Sequence, residues 1–425
     1  MEIISTKELS KGVYFNSIID PRFKANQISI NFIVGMNSYT VSQNAIVPFL
    51  LRKRCRKYPN MLDLGRKLQE LYGADLFAGC KKIGDNQIMT LGISIIDDSL
   101  ALNGERLNEQ ASKLLASVVF EPMLDDGNFL EEDVNIEKEN LIELVKSEYN
   151  DKRLYALNQA MYYLFDGEGY GCNKYGCVDL IKPLTKFQIF DAYNNLLNSA
   201  EIQIMFIGKG NFNSSMNVFS DRFDSFKRSN VYKSQMNKYI QQNEKPKSKL
   251  QTDKVSQSKL VMGFASNIRS ELEDEYAIML MTALFGGTPI SKLFVNVREK
   301  LSLCYYCAAR YDNSKGIIWV DSGVENDNIE LAKEAILEQL NELKNGNFSD
   351  ELLDQTALFI MNGLKSVKDS TSSVESYYLA QLCGDKVKSP KEQIENIKKV
   401  TREGVCRAAK SYSLVIDYVF TAEDR

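Results

Sequence analysis

The sequence predicts an α+β fold of two homologous domains, each with a largely antiparallel sheet and helices packed on one face. Short segments with alternating apolar residues, such as 27–34, are typical of strands. Longer segments with helical spacing, such as 107–119 and 131–149, lie between them. A similar order of strands and helices begins again after residue 256.

Three segments of the first half carry specific expectations. Residues 27–34 place apolar side chains on one face only, which predicts a half-buried strand. Residues 44–56 indicate a short helix with Pro48 in its first turn, where a missing N–H does little harm. The helix predicted at 131–149 carries one apolar stripe, formed by Val134, Leu141, Leu144 and Val145.

The two halves resemble each other in the order of their elements. Residues 184–186 lead into a helix and then a strand at 202–207, and residues 400–402 lead likewise into a strand at 414–420. We therefore expect the two domains to share a topology.

A chain of 425 residues is long enough for two or three domains with sizeable cores. Residues 232–256 are polar and rich in Lys, Gln, Asn and Ser, which predicts a linker. The expected division is an N-terminal domain at 1–231 and a C-terminal domain at 257–425.

The composition limits the partners that the protein could have. The chain has 52 Lys and Arg against 56 Asp and Glu, a net charge of −4, which argues against a nucleic-acid binder. No apolar segment approaches the roughly 18 residues of a membrane span, and no signal peptide is visible. The eight cysteines are scattered, as is usual for reduced thiols. We therefore expect a cytoplasmic protein that binds neither nucleic acid nor membrane.

The chain contains no histidine. This excludes Ser-His-Asp and Cys-His nucleophiles, which need an imidazole to carry the proton. It also excludes histidine-ligated zinc. Carboxylates, thiols, lysines and tyrosines remain for any catalytic role.

Residues 285–305 carry the most specific motif of the sequence. They read FGGTPISKLF, then VREKLSLCY from Val297. This resembles the segment GGG-x-S-x-L-F-x-x-V-R-E-K-x-G-L-A-Y of the pitrilysin/insulinase zinc peptidases. In that family the arginine, and the tyrosine seven residues later, hold the substrate backbone. The resemblance therefore implies that Arg298 and Tyr305 bind substrate.

The first half resembles the same family, at 120–139 and 170–185, so the likeness covers nearly the whole chain. The family binds zinc through an H-x-x-E-H motif on a helix and a glutamate far downstream. Counted back from 71–76, that motif falls on aliphatic residues, namely Val47, Leu50 and Leu51. Glu143, or the adjacent Leu144, matches the third ligand. A lone carboxylate cannot hold zinc, so we expect no bound metal, no cofactor and no catalytic residue at this site.

Residues 45–51, 57–59, 70–74 and 149–156 resemble a degenerate, YfmF-type subgroup of the family. That subgroup is linked to aminopentanol modification of elongation factor P and is encoded beside an intact homologue. The resemblance implies a non-catalytic subunit that forms a heterodimer with an active homologue, or self-associates. Such a subunit would bind a peptide or an unfolded protein segment, as a substrate-binding or chamber-forming part.

Other functions remain open on the sequence alone. One is a stand-alone cytoplasmic binding or scaffold protein, and another is an accessory factor in elongation factor P modification without proteolysis. A third is an enzyme that uses carboxylates or thiols in an unrelated way. Arg298 and Tyr305 could also be structural, holding a helix to a sheet.

Two further clusters have alternative interpretations. Cys304 and Cys307, with Cys172 and Cys177, could bind a structural zinc or carry redox chemistry. However, residues i and i+3 of a strand point to opposite faces, which disfavours a metal shared by Cys304 and Cys307. The basic run at 52–57 is typical of cations on a solvated helix C-terminus, or of a docking patch for an acidic partner.

Overall fold

The structure is a computed structural model that describes residues 4–239, 245–267, 274–384 and 386–422. It divides into two compact units, and each unit includes a segment from the other half of the sequence. The first comprises Met1–Ser147, Cys172–Gln235 and Lys368–Val387. The second comprises Glu148–Gly171, Met236–Val367 and Lys388–Arg425. The units thus depart from a division into two contiguous halves.

The first unit is built on a six-stranded sheet in the order β1-β2-β8-β3-β5-β4. Only the β2–β8 pair is parallel among these strands. The strands and a two-stranded ribbon are β1 (Ser5–Ser10), β2 (Val13–Ile19), β3 (Ala25–Gly35), β4 (Asp75–Ile83), β5 (Asn86–Ile96), β6 (Leu124–Asp125), β7 (Asn128–Phe129) and β8 (Glu201–Gly208). The helices that pack with them are α1 (Val41–Leu51), α2 (Met61–Glu70), α3 (Leu107–Phe120), α4 (Glu131–Asn150), α6 (Val178–Ile181), α7 (Lys186–Ser199), α8 (Asn213–Phe223) and α12 (Thr371–Leu382).

The second unit is built on a five-stranded sheet in the order β11-β12-β10-β13-β9. Its strands are β9 (Lys247–Asp253), β10 (Ser258–Ser266), β11 (Cys304–Asp312), β12 (Ile317–Val324) and β13 (Tyr412–Ala422). Its helices are α5 (Lys152–Leu164), α9 (Glu275–Thr282), α10 (Ile329–Lys344), α11 (Asp350–Ser366), α13 (Pro390–Ile397) and α14 (Arg402–Ser411). Within the described chain, every helix is too short or too polar to span a bilayer.

The two sheets repeat one topology, as the sequence predicted. Without β1, the first sheet runs β2-β8-β3-β5-β4, and the second, read from its other edge, runs β9-β13-β10-β12-β11. In each sheet the first of these pairs is parallel, and the rest are antiparallel. The predicted fold class is therefore confirmed.

Helices cover both faces of each sheet, whereas the sequence predicted helices on one face only. In the first unit α12 packs on β3 and β8, and in the second α5 packs on β10 and β13. The strand predicted to be half-buried is therefore buried on both faces. On β3, Ile28, Ile30 and Phe32 enter the main core, whereas Gln27 and Asn31 are also buried.

Three other expectations are wrong. α1 begins at Val41, so Pro48 lies inside the helix, which ends one turn later, at Leu51. Leu144 is exposed, so the apolar stripe of α4 is narrower than predicted. The C-terminal part of the linker forms β9, whose side chains are polar because this strand lies at a sheet edge and is mostly exposed. Residues 240–244 of the linker lie outside the described residues.

Candidate functional site

The three positions that match the zinc motif lie on α1 and belong to the core of the first unit. Val47, Leu50 and Leu51 are 2%, 4% and 1% exposed. They share a hydrophobic cluster with Ile30 and Leu91 of the sheet. This helix therefore contributes packing, because its motif positions offer neither metal ligands nor access to solvent.

The predicted third-ligand residue is not buried with the motif positions of this helix. Glu143 is mostly exposed on α4 and accepts a hydrogen bond of 2.8 Å from Lys146 Nζ. Among the described residues, no group of three or more Cys, Asp or Glu side chains is placed to hold a metal ion. The first unit thus has no arrangement in its described part that could replace the lost zinc site.

The basic run after α1 is partly used inside the first unit. Lys53 Nζ lies 3.3 Å from Asp133 and 3.2 Å from Glu137, and Arg54 donates a 2.8 Å hydrogen bond to Asp133. The prediction of a solvated run does not hold for these two half-buried cations. The exposed members of the run are Arg52, Arg56 and Lys57.

The segment of the second half that resembles the family motif contains two π-helical stretches, Ala283–Gly287 and Leu293–Lys300. A Cβ added to Gly286 would lie only 2.6 Å from the backbone nitrogen of Ala309, so glycine is needed for the close approach to β11. Short π-helical stretches often occur at functional sites, because they displace side chains from the regular helical positions. Arg298 lies in the second of them.

Arg298 is partly exposed, and its ion pair and its ring contact among the described residues are with close neighbours in the sequence. Its Nε lies 3.4 Å from Glu299 Oε1, and its guanidinium lies 4.5 Å from the centre of the Phe294 ring. In the described part of the chain, no ion pair or hydrogen bond joins Arg298 to the sheet. The structural alternative, an arginine that holds a helix to the sheet, finds no support in these contacts.

Ser302 adopts a left-handed backbone conformation, with φ of 52°. The family motif has glycine at the matching position, where this conformation costs nothing. Left-handed backbone costs a non-glycine residue about 1–2 kcal/mol. The strain lies between Arg298 and Tyr305, at the turn that leads into β11.

We expect Ser302→Gly to stabilise the protein by about 0.5–1 kcal/mol, because the relief of strain exceeds the added entropy of the unfolded chain. Urea unfolding followed by circular dichroism measures the difference. A matched control is Ser372→Gly within α12, where the same substitution should destabilise by a similar amount. Equal destabilisation by both variants would contradict the strain assignment.

A β-bulge presents Tyr305 to solvent. Cys304 pairs with Val324 and Tyr306 pairs with Gly323, so Tyr305 is the extra residue of the bulged strand β11. Its side chain is 62% exposed, and its hydroxyl donates a 3.1 Å hydrogen bond to Glu325 Oε1. This bond to a carboxylate raises the pKa of Tyr305.

The same bulge makes the predicted orientation of Cys304 and Cys307 wrong. The extra residue shifts the alternation of the strand, so that both thiols are buried in the same core cluster. Hydrogen bonding with Cys307 lowers the pKa of Cys304 to about 7, and the same contact raises the pKa of Cys307. The pair has no third ligand among the described residues.

Tyr305 and Glu325 border a pocket of about 530 Å3 at one end of the second unit's sheet. Sequence reasoning missed Glu325, because it is 20 residues from Tyr305 and reaches it only through the β11–β12 hairpin. Arg298 does not line this pocket, so the two residues taken from the family motif have separate surroundings.

The aliphatic residues at the zinc-motif positions distinguish this chain from a zinc peptidase with an intact H-x-x-E-H motif. The family model described as "Peptidase M16 inactive domain" matches residues 183–357. The chain is also 28% identical to "Probable inactive metalloprotease YmfF" of Bacillus subtilis (strain 168) over 408 residues, which cover 96% of this chain and 95% of that protein.

Solved structures show the same fold over the whole chain. A conserved protein from Enterococcus faecalis V583 superimposes with a TM-score of 0.88, at 24% identity, and 99% of each chain is covered. The peptidase M16 inactive domain from Pseudomonas fluorescens superimposes with a TM-score of 0.76, at 14% identity, covering 99% of this chain and 98% of that one. The resemblance to the pitrilysin/insulinase family is thereby confirmed: this chain is similar in sequence and fold to M16-type proteins that are described as inactive.

Proposed function

We propose that this chain is the non-catalytic, peptide-binding subunit of a cytoplasmic complex with an intact zinc peptidase of the same family. In that complex the partner would supply the metal and the bond-breaking chemistry. This chain would supply substrate-binding surface and part of the wall of a chamber. The substrate would be a peptide or an unfolded protein segment.

The observation that carries the proposal is the contrast between the two motifs. The zinc-motif positions have become part of a hydrophobic core, whereas Tyr305 is exposed on a bulge and Arg298 keeps a guanidinium free of strong ion pairing. In a chain with a purely structural role, an exposed tyrosine beside the strained turn at Ser302 would add little to stability. Retained recognition without catalysis accounts for both features.

Copurification from the native cell tests the pairing. We expect this chain to elute with a homologue that carries an intact H-x-x-E-H motif, at a mass that fits one copy of each. Elution as a single copy or a self-associated form alone would contradict the heterodimer and favour a stand-alone binding protein. Capture of the elongation factor P modification machinery without a peptidase would favour the accessory role in that modification.

Arg298→Ala and Tyr305→Phe test the assignment of these residues to peptide binding. Arg298 would donate charge-assisted hydrogen bonds to the peptide backbone, and the Tyr305 hydroxyl, which donates to Glu325, would accept one from a backbone N–H, each worth roughly 1–3 kcal/mol. We expect each variant to weaken binding of fluorescein-labelled casein, or its cleavage by the complex, about tenfold. The melting temperature should barely change, because both side chains are partly or largely exposed.

Suitable controls are Arg66→Ala and Tyr162→Phe, which remove an exposed guanidinium and an exposed hydroxyl elsewhere. Neither control should affect casein binding. A fall in melting temperature for Arg298→Ala or Tyr305→Phe, with normal binding by the folded fraction, would show that these residues are structural.

A further inference from the structure

The pocket beside Tyr305 has the chemistry of a cation site. It lies where β10 begins and where β12 and β13 end, and Gln257 and Asn326 line it together with Tyr305 and Glu325. Glu325 is its only ionisable acid, and no lysine or arginine lines it within the described chain. The pocket therefore combines one carboxylate with one aromatic ring and uncharged polar groups.

One cation of β10, Lys259, is held by the pocket residue Gln257 and forms no ion pair with Glu325. Lys259 Nζ donates a hydrogen bond to Gln257 Oε1 and lies 5.8 Å from the centre of the Tyr306 ring. Glu325 is exposed and forms no ion pair with any described residue, and its recorded partner is the neutral hydroxyl of Tyr305. Its negative charge is thus available to a ligand.

One wall of the pocket is held in place by hydrogen bonds to buried hydroxyls. Asn326 Oδ1 accepts from the hydroxyls of Ser258 and Thr421, both of which are buried. On the other side, an exposed hydrogen bond joins Tyr305 to Glu325. The wall around Asn326 is therefore preformed, and a ligand would lose little free energy to the ordering of that side chain.

We propose that this pocket is a specificity subsite that takes a basic side chain, lysine or arginine, of the bound peptide. The ammonium or guanidinium would pair with the Glu325 carboxylate and lie against the Tyr305 ring. Val255 and Ala422 would contact the aliphatic stem. The inference rests on the proposed peptide-binding function and adds to it a preference for one class of residue.

Two short, unfolded test peptides, uncharged apart from one central residue that is either lysine or norleucine, examine this preference. Fluorescence anisotropy should show about tenfold tighter binding of the lysine peptide to the wild-type chain. The preference should shrink as salt is added, because the pair is accessible to solvent. An arginine peptide should behave like the lysine peptide.

Glu325→Gln keeps the shape of the side chain and removes its charge. We expect this variant to bind both peptides as weakly as the wild type binds the norleucine peptide. Glu330→Gln, which removes another exposed carboxylate nearby in the sequence, should leave the preference intact. Equal binding of both peptides by the wild type, or an undiminished preference in Glu325→Gln, would overturn the subsite alone. Failure of every peptide to bind would overturn the proposed function together with the subsite.

Discussion

The triple variant Val47→His, Leu50→Glu and Leu51→His is expected to lose most of its folded population and to gain no zinc-protease activity. All three side chains are at most 4% exposed in the core of the first unit. Burying a carboxylate and two imidazoles there costs several kcal/mol, because no described group is placed to pair with them. The total stability of a protein is only about 5–15 kcal/mol, so a loss of this size unfolds the first unit.

Circular dichroism melting and zinc analysis of the purified variant check this result. A matched control places histidines at Ile136 and Leu144, two exposed apolar residues of α4, and should melt close to the wild type. Zinc-dependent peptide cleavage by the triple variant, with wild-type melting, would contradict the core assignment. It would mean that the site is merely unmetallated.

Much of the fold could be predicted because it depends on local patterns. The alternation at β3 and the helical spacing of α3 and α4 lie within single segments of sequence, and the structure has these elements at nearly the predicted residues. The repeat of strand order followed from the same patterns. The loss of the zinc ligands could be deduced from residue types alone, since aliphatic side chains cannot bind a metal under any packing.

Features that depend on distant segments could not be predicted. Gln27, Ser29 and Asn31 alternate with apolar residues exactly as a solvent-facing row would, yet α12, more than 300 residues later, covers them. The sequence of β3 carries no mark of that helix. Glu375 of α12 would be expected at the surface from its residue type alone, since carboxylates are rarely buried.

The bulge at Tyr305 was equally invisible to sequence reasoning. One extra residue in β11 reverses the alternation of the side chains that precede it in the strand. Cys304 and Cys307 therefore share a face, although residues with this spacing point to opposite faces of a regular strand. Pairing with β12 determines this irregularity, and β11 alone does not encode it. The same irregularity exposes Tyr305, so the candidate site depends on a feature that only the folded sheet reveals.

Glu375→Ala is expected to destabilise the first unit by roughly 3–5 kcal/mol, because it leaves buried donors without an acceptor. Glu375 is 3% exposed on α12. Its Oε2 accepts a 2.7 Å hydrogen bond from Gln27 Nε2, and its Oε1 accepts from Ser29 Oγ and, at 3.4 Å, from Asn31 Nδ2. Each of these donors lies on β3, so the carboxylate is a principal polar link between α12 and the sheet.

The loss should be concentrated at α12. Without the carboxylate, the buried polar side chains of β3 are more stable in contact with water. This favours a locally unfolded state in which α12 has left the sheet. Hydrogen exchange measured by mass spectrometry should therefore show faster exchange in Thr371–Leu382 and in β3, with smaller changes in the strands far from this helix.

The exchange rate of Glu375→Gln should fall between those of the wild type and Glu375→Ala, because its amide keeps one acceptor and brings a competing donor. Glu351→Ala, which removes an exposed carboxylate of α11, controls for the loss of a charge. Unchanged exchange of α12 in Glu375→Ala would show that apolar contacts alone hold this helix on the sheet.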